Sequence, residues 1–241
     1  MSSNSGSVDL SDKVALITGA SRGIGATVAK AYAAAGAHVV LMARTVGGLE
    51  AIDDEIRAAG GQATLIPQDL LQLDELDALG PALAEKFGRL DIFVGNAGML
   101  GTLSPIGHAD VKEWQRVMDI NFTANVRLIR TLDPLLKGAA QGRAVFVTTG
   151  MVKWAQAYWG AYSASKAAVQ TLARTYAAEN EKSNLRINLI SPGAVETKML
   201  DTAFPGGYQG KRKKPEDLVP AFLELASDDC KRHGEIIDLN D

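Results

Sequence analysis

Short apolar runs alternate with helix-like segments along most of the chain. VALIT (14–18), HVVLMA (38–43), ATLIP (63–67), LDIFVG (90–95), RAVFVTT (143–149), LRINLIS (185–191) and EIIDL (235–239) are rich in β-branched residues and bounded by turn residues. Each predicts a strand. Between them lie longer stretches that predict helices. These are IGATVAKAYAAAG (24–36) and VGGLEAIDDEIRAAGG (46–61), both stopped by glycine, and DELDALGPALAEKFG (74–88), interrupted at Pro81. Residues 111–137 read as one long or broken helix, 159–181 as another long helix, and PEDLVPAFLELAS (215–227) as the last.

Short strands alternating with helices imply parallel pairing through crossover helices. The strands are continuous apolar runs because both sheet faces would be covered. The predicted class is therefore α/β: a doubly wound (Rossmann) seven-stranded, mostly parallel sheet with helices on both faces. No internal repeat or long linker divides the chain. A flexible N-terminal segment is expected at residues 1–10 and a single domain at 11–241. Ligands of such sheets bind outside the carboxyl ends of the strands.

Bulk properties narrow the function classes. The chain has 241 residues, a formal net charge of −3 and a sequence pI near 5.7. That balance lacks the electrostatic footprint of a nucleic-acid binder. Cys230 is the only cysteine, which fits a reducing compartment. Residues 1–9, MSSNSGSVD, lack the cationic start and apolar run of a secretory signal, and no stretch reaches the length of a membrane span. A cytoplasmic location is expected, with neither membrane nor nucleic acid as a partner. His38, His108 and His233 have no metal-ligand spacing, so no metal site is expected.

The first strand runs into TGASRGIG (18–25), with glycines at 19, 23 and 25. Glycines there allow a sharp turn, a close approach to phosphate and tight packing of helix on sheet, and the helix N-terminus offers free N–H groups to a pyrophosphate. Dinucleotide binding follows from this placement. The second strand ends in Ala43 and Arg44, where an NAD site wants an acid for the ribose 2′-hydroxyl. Arg22 adds a second cation, and two guanidinium groups suit a 2′-phosphate. NADP(H) is thus preferred over NAD(H). Asp69, after the third strand, suits either an adenine amino group or a helix cap. Asn96, Ala97 and Gly98 follow the fourth strand, where small residues would let a cofactor lie against the sheet edge.

Tyr162 and Lys166, in YSASK, stand four residues apart on the long predicted helix and so share a face. An ammonium beside a phenol favours the phenolate and lowers the tyrosine pKa, which makes the phenol a usable proton donor or acceptor. Thr149 closes the fifth strand and could donate a hydrogen bond to a substrate oxygen.

The sequence resembles the short-chain dehydrogenase/reductase family in its compact, single-domain branch. TGASRGIG, Asp69, NAG (96–98), Asn121 in MDIN, YSASK and SPG (191–193) carry the resemblance, which spans about residues 11 to 200 and continues more weakly from 215. It implies hydride transfer between NAD(P)(H) and a carbonyl or alcohol carbon without metal. Tyr162 resembles the family's acid/base, Lys166 the lysine that binds the nicotinamide ribose, and Asn121 the asparagine that holds a water in the proton relay. Thr149 occupies the position of the family's substrate-orienting serine. It keeps the hydroxyl but adds a methyl that stiffens χ1 and takes room from substrate. Thr148, its neighbour, should point to the other face. Pro192, Gly193 and Thr197 resemble the loop that meets the nicotinamide carboxamide. The expected cofactor contacts are Gly19, Ser21, Arg22, Gly23, Ile24, Gly25, Arg44, Asp69, Leu70, Asn96, Ala97, Gly98, Tyr162, Lys166, Pro192, Gly193, Val195 and Thr197.

The chain also departs from the family pattern. Gly95 replaces the asparagine common before NAG, and Ala124 stands where glycine is frequent. The end, GEIIDLND, lacks the family's glycine pair, so a homodimer through 111–137 and 159–181 is expected before a tetramer. Met99, Leu100, Met151, Trp154, Tyr158, Trp159, Met199 and Leu200 would line an apolar pocket for a hydrophobic ketone or 3-oxoacyl compound, or pack a subunit interface. KRKK (211–214) reads as a solvated charge run, with a phosphate-bearing substrate as the lesser reading. Beside the NADP(H)-dependent oxidoreductase stands a second function class: a cofactor-binding regulatory or scaffold protein with little catalysis.

Overall fold

The computed structural model describes residues 8–240. Its seven strands are β1 (Val14–Thr18), β2 (His38–Ala43), β3 (Gln62–Pro67), β4 (Ile92–Gly95), β5 (Arg143–Val147), β6 (Arg186–Ser191) and β7 (Ile236–Asp238). They form one sheet in the order β3-β2-β1-β4-β5-β6-β7, and every neighbouring pair is parallel. The order reverses between β1 and β4, and the strand ends flanking that point carry TGASRGIG and NAG. Most of the segment expected to be flexible lies outside the described residues. Leu10, at its end, is fully buried, and its N–H donates to the Ala35 carbonyl at 2.8 Å.

Successive strand residues point to opposite faces, and each face has its own core. Ala15 and Ile17 pack with α1 (Gly23–Ala34), α2 (Val46–Ala58) and α9 (Val219–Ala226), through residues such as Tyr32, Ile56 and Phe222. Val14 and Leu16 pack with α3 (Leu79–Phe87), α5 (Ala124–Gly138) and α7 (Gly160–Glu179), through Leu83, Leu132 and Val169. Helices on both faces hide both sides of the strands.

Three local results bear on the site. The predicted helix at 111–137 is broken. α4 (Val111–Met118) begins at an N-cap, Asp110, whose carboxylate accepts from the N–H groups of Lys112 and Glu113. A π-helical turn over Asp119–Thr123 then leads into α5, with Ala124 N–H reaching back to the Asp119 carbonyl. β5 stops at Val147, earlier than expected, because Gly150 and the four-residue helix α6 (Met151–Trp154) turn the chain away. The segment after β6 forms α8 (Lys198–Ala203), capped by the Thr197 hydroxyl. KRKK is more than a solvated run. Lys213 N–H donates to the Ala194 carbonyl and its carbonyl accepts from Glu196 N–H, each at 2.9 Å, while Arg212 pairs with Glu196. Residues 211–214 thereby clasp the loop that leads into α8.

Candidate active site

Thr18, the last residue of β1, ties the first two motifs together. Its hydroxyl accepts from the N–H groups of Asn96 and Ala97, both at 3.0 Å, and Asn96 Nδ2 donates to its carbonyl at 2.8 Å. Gly19 turns the chain at φ +67°, a region that side chains disfavour, and a β-carbon there would meet Asn96 Nδ2 at 2.9 Å. Gly25 is required by space: a β-carbon would stand 2.3 Å from the Gly19 carbonyl oxygen. The glycine loop is therefore folded directly onto NAG.

Helix α1 begins at Gly23 with no side-chain cap from Arg22 and no acid in its first turn. Uncapped amides, glycine at 23 and 25, and the positive end of the helix dipole form a donor set that fits a pyrophosphate. Ile24 packs against the core beneath. Ser21 faces the start of α2, where a β-carbon on Gly48 would stand 2.9 Å from the Ser21 β-carbon. Arg22 and Arg44 are both exposed, at the glycine loop and just past β2. Asp69 Oδ1 accepts from Leu71 N–H at 3.0 Å, so one carboxylate oxygen serves as a local turn cap, and Leu70 packs against the core.

The chemical end is assembled by α7, β5 and the π turn. Lys166 is buried, and its ammonium donates to the Val147 carbonyl at 2.9 Å. Tyr162 lies one turn earlier on the same face, with its ring 5.8 Å from that of Trp159. Burial pushes the Tyr162 phenol up to about 12, and the Thr149 side chain, hydrogen-bonded to it, pulls the other way. Burial also brings Lys166 down to about 8. The expectation that the ammonium lowers the phenol's pKa is therefore corrected. Desolvation disfavours the charged form of each group, the phenolate of Tyr162 and the ammonium of Lys166. Thr149 is half-buried, whereas Thr148 is buried and accepts from Gln170 Nε2 at 2.9 Å, which leaves Thr149 as the hydroxyl on the Tyr162 side.

Asn121 is fully buried in the π turn, and its amide is fully engaged. Oδ1 accepts from Met99 N–H at 2.7 Å, and Nδ2 donates to the Met99 carbonyl and the Ser165 hydroxyl, both at 2.9 Å. Ser165 in turn donates to the Tyr162 carbonyl at 2.7 Å. A β-carbon on Gly98 would stand 3.4 Å from Asn121 Oδ1 and 3.5 Å from Lys166 Nζ, so glycine keeps this recess open. After β6, Pro192 and Val195 are buried, and Gly193 adopts φ +78°. The loop crosses to the glycine motif, with Thr197 Cγ2 3.3 Å from where a Gly23 β-carbon would be. Ser165 and Thr18 carry no role in the linear reading. Ser165 lies inside YSASK and Thr18 opens TGASRGIG, so position within a motif was the available signal.

An apolar wall surrounds the tyrosine. Leu100, Trp159 and Tyr162 form a buried cluster, with Leu103, Met151, Met199 and Phe204 against it. Trp154, at the end of α6, and Tyr158, in the turn before α7, both expected in this wall, are instead each 59% exposed. Leu103 and Phe204 were not foreseen. No group of three or more metal-ligating side chains occurs among the described residues.

Residues 13–206 match the family model described as short chain dehydrogenase. The oxidoreductase YciK of Escherichia coli strain K12 is 36% identical over 226 residues, which cover 92% of this chain and 89% of YciK. A solved YciK structure superposes with a TM-score of 0.93 at 34% identity, covering 100% of both chains. A 3beta-hydroxysteroid dehydrogenase of Eggerthella lenta is 34% identical over 240 residues, covering 91% of this chain and 88% of the relative. A short chain dehydrogenase from Shigella flexneri, solved in complex with NADP, superposes with a TM-score of 0.91 at 35% identity, covering 96% of this chain and 98% of that one.

Proposed function

This chain belongs to the short-chain dehydrogenase family, and we propose that within it the chain is an NADP(H)-dependent reductase of hydrophobic ketones with Tyr162 as acid/base. Membership makes it an oxidoreductase acting on CH–OH or C=O groups. The observation that carries the finer reading is the convergence of the Tyr162 hydroxyl and Thr149, with the Lys166 ammonium held one turn away on the Val147 carbonyl.

The uncapped start of α1 would hold the pyrophosphate, with Gly19, Ser21, Gly23, Ile24 and Gly25 forming the loop around it. Arg22 and Arg44 would pair with a 2′-phosphate, and this favours NADP(H). A solved neighbour's complex with NADP agrees with that preference. Asp69, Leu70, Asn96, Ala97 and Gly98 would line the adenosine side, and Pro192, Gly193, Val195 and Thr197 the nicotinamide side. When bound, the nicotinamide supplies the hydride for the carbonyl carbon.

The protein's own residues would do the rest. Thr149 Oγ1 donates to the carbonyl oxygen and orients it. Tyr162 Oη gives that oxygen its proton, and at neutral pH the raised pKa keeps the phenol protonated and ready to act as an acid. Lys166 Nζ holds the ribose hydroxyls. Asn121 ties the 98–100 loop to α7. The apolar wall of Leu100, Leu103, Met151, Trp159, Met199 and Phe204 excludes water and suits a hydrophobic or aromatic carbonyl. The relative named as a hydroxysteroid dehydrogenase is consistent with that class. A homodimer across α5 and α7 is the assembly that this reading expects.

Tyr162→Phe tests the assignment, because it removes only the hydroxyl. Oxidation of NADPH is followed by absorbance with a panel of ketones, aldehydes and 3-oxoacyl thioesters. The variant should bind NADPH like the parent and reduce none of the compounds that the parent reduces. Turnover equal to the parent's would remove Tyr162 from the chemistry. A parent inert towards the whole panel would favour the cofactor-binding regulatory role.

A further inference from the structure

Gly95, which stands where the family commonly has asparagine, lies directly against Asn125. A β-carbon on Gly95 would stand 2.6 Å from Asn125 Oδ1 and 2.8 Å from the ring of Phe146, its neighbour across β4 and β5. Asn125 occupies the room that a larger residue at 95 would need. It is 5% exposed, on the first turn of α5, and its Nδ2 donates to the Asn121 carbonyl at 2.7 Å. A buried amide needs such a partner, since leaving it unpaired costs more than the bond returns.

From that carbonyl the bonds continue to the tyrosine. Asn121 Nδ2 donates to Ser165 Oγ, and Ser165 Oγ donates to the Tyr162 carbonyl. Ser165 and Asn121 are fully buried, so the connection runs through a water-poor interior in which hydrogen bonds are strong and geometry is tightly fixed. We propose that Asn125 is a positioning residue for Tyr162, acting through Asn121 and Ser165, and that residue 95 is glycine to admit it. Asparagine suits the site because the carbonyl needs a donor of this reach; leucine has similar bulk and no donor, and aspartate donates only when protonated. The proposal rests on the reading of Tyr162 as acid/base.

The test uses the full chain with N125L and N125D, NADPH, and benzil as the probe carbonyl. Three quantities are measured: the NADPH dissociation constant by fluorescence, kcat by absorbance, and amide hydrogen exchange over residues 119–124 and 162–166 by mass spectrometry. N125L should lower kcat by roughly tenfold to a hundredfold, as expected for a displaced catalytic group. Its NADPH affinity should stay within about twofold of the parent, and exchange in both segments should quicken. N125D carries a sign. Its protonated carboxyl can still donate to the Asn121 carbonyl, whereas the carboxylate repels it. Its kcat and its exchange protection, each taken relative to the parent at the same pH, should fall as pH rises through that carboxyl's pKa. Parental kcat and exchange in N125L would overturn the proposal, as would NADPH affinity lost in step with kcat. Should N125L fail to fold, an N125D protein with no pH dependence relative to the parent is the overturning result. A parent inactive on benzil counts against the function reading alone, and the exchange pattern still decides the positioning role.

Discussion

The ammonium of Lys166 donates to the carbonyl of Val147 at 2.9 Å, joining α7 to the last residue of β5. That bond sets the height of α7 against the strand, so Tyr162, one turn earlier, meets Thr149, two residues past the strand end. The site is a joint between one helix and one strand, and its chemistry depends on how the ammonium and the phenol titrate there.

The pH dependence of ketone reduction follows from these two groups. On the proposed mechanism, reduction requires the phenol protonated and the lysine charged. Burial brings Lys166 down to about 8 and pushes Tyr162 up to about 12, so both conditions hold below about pH 8. kcat/KM for reduction should be level from neutral pH and fall as pH rises through about 8, with Lys166 losing its proton first. Initial rates across that range check this. A reduction rate that climbs through pH 8 would contradict it.

Thr149 should carry the substrate-orienting hydrogen bond. Thr149→Ala is expected to lower kcat by the equivalent of about 2–4 kcal/mol, on the scale of an oxyanion donor. Thr149→Ser keeps the hydroxyl and should retain or raise turnover. Thr148 is a poor substitute because Gln170 already holds its hydroxyl. Normal kcat in the alanine variant would mean that another group orients the carbonyl.

Cofactor preference should turn on Arg44. Exposed beyond β2, its guanidinium is free to reach a 2′-phosphate. Arg44→Asp should weaken NADPH binding and favour NADH, read by fluorescence titration of each dinucleotide. Equal affinity of the parent for both would defeat the NADP(H) preference.

Gly25 should be intolerant of any side chain. The obstacle is backbone, the Gly19 carbonyl oxygen at 2.3 Å from a β-carbon, and it cannot step aside as a side-chain tip would. Gly25→Ala should cost about 1–3 kcal/mol of stability through overpacking and weaken dinucleotide binding with it. Thermal unfolding with and without NADPH measures both effects. An unchanged Tm would show that the loop relaxes freely.

Much of this architecture is legible in the chain because strands buried on both faces must be apolar runs between turn residues. VALIT and HVVLMA match β1 and β2 to the residue. The helices α6 and α8 are missed because four and six residues are too few to display a period. TGASRGIG, NAG and YSASK announce themselves, since spacing within a motif is a local property. The bonds between them do not. Thr18 holding NAG, Ser165 bridging Asn121 to Tyr162, and Asn125 filling the space beside Gly95 join residues whose proximity arises only after folding. The direction of the Tyr162 pKa shift misleads for a related reason. Spacing reveals the neighbouring ammonium, while burial, which dominates, belongs to the packed molecule. Trp154 and Tyr158 are misjudged likewise, because closeness in sequence to Tyr162 says nothing about which way the loop turns.

The contact of Trp159 with both Tyr162 and Phe204, at ring separations of 5.8 and 6.0 Å, gives the protein a built-in optical reporter. Indole emission is sensitive to nearby quenchers and to polarity. A carbonyl compound entering beside Tyr162 must disturb the surroundings of Trp159 before any hydride moves. Trp154 stands out in solvent and Trp114 packs against Gly160, so the protein's other two indoles sit in different surroundings. Stopped-flow fluorescence can therefore time substrate arrival separately from the absorbance change of NADPH, with no dye attached, and Trp159→Phe identifies which part of the signal belongs to the site.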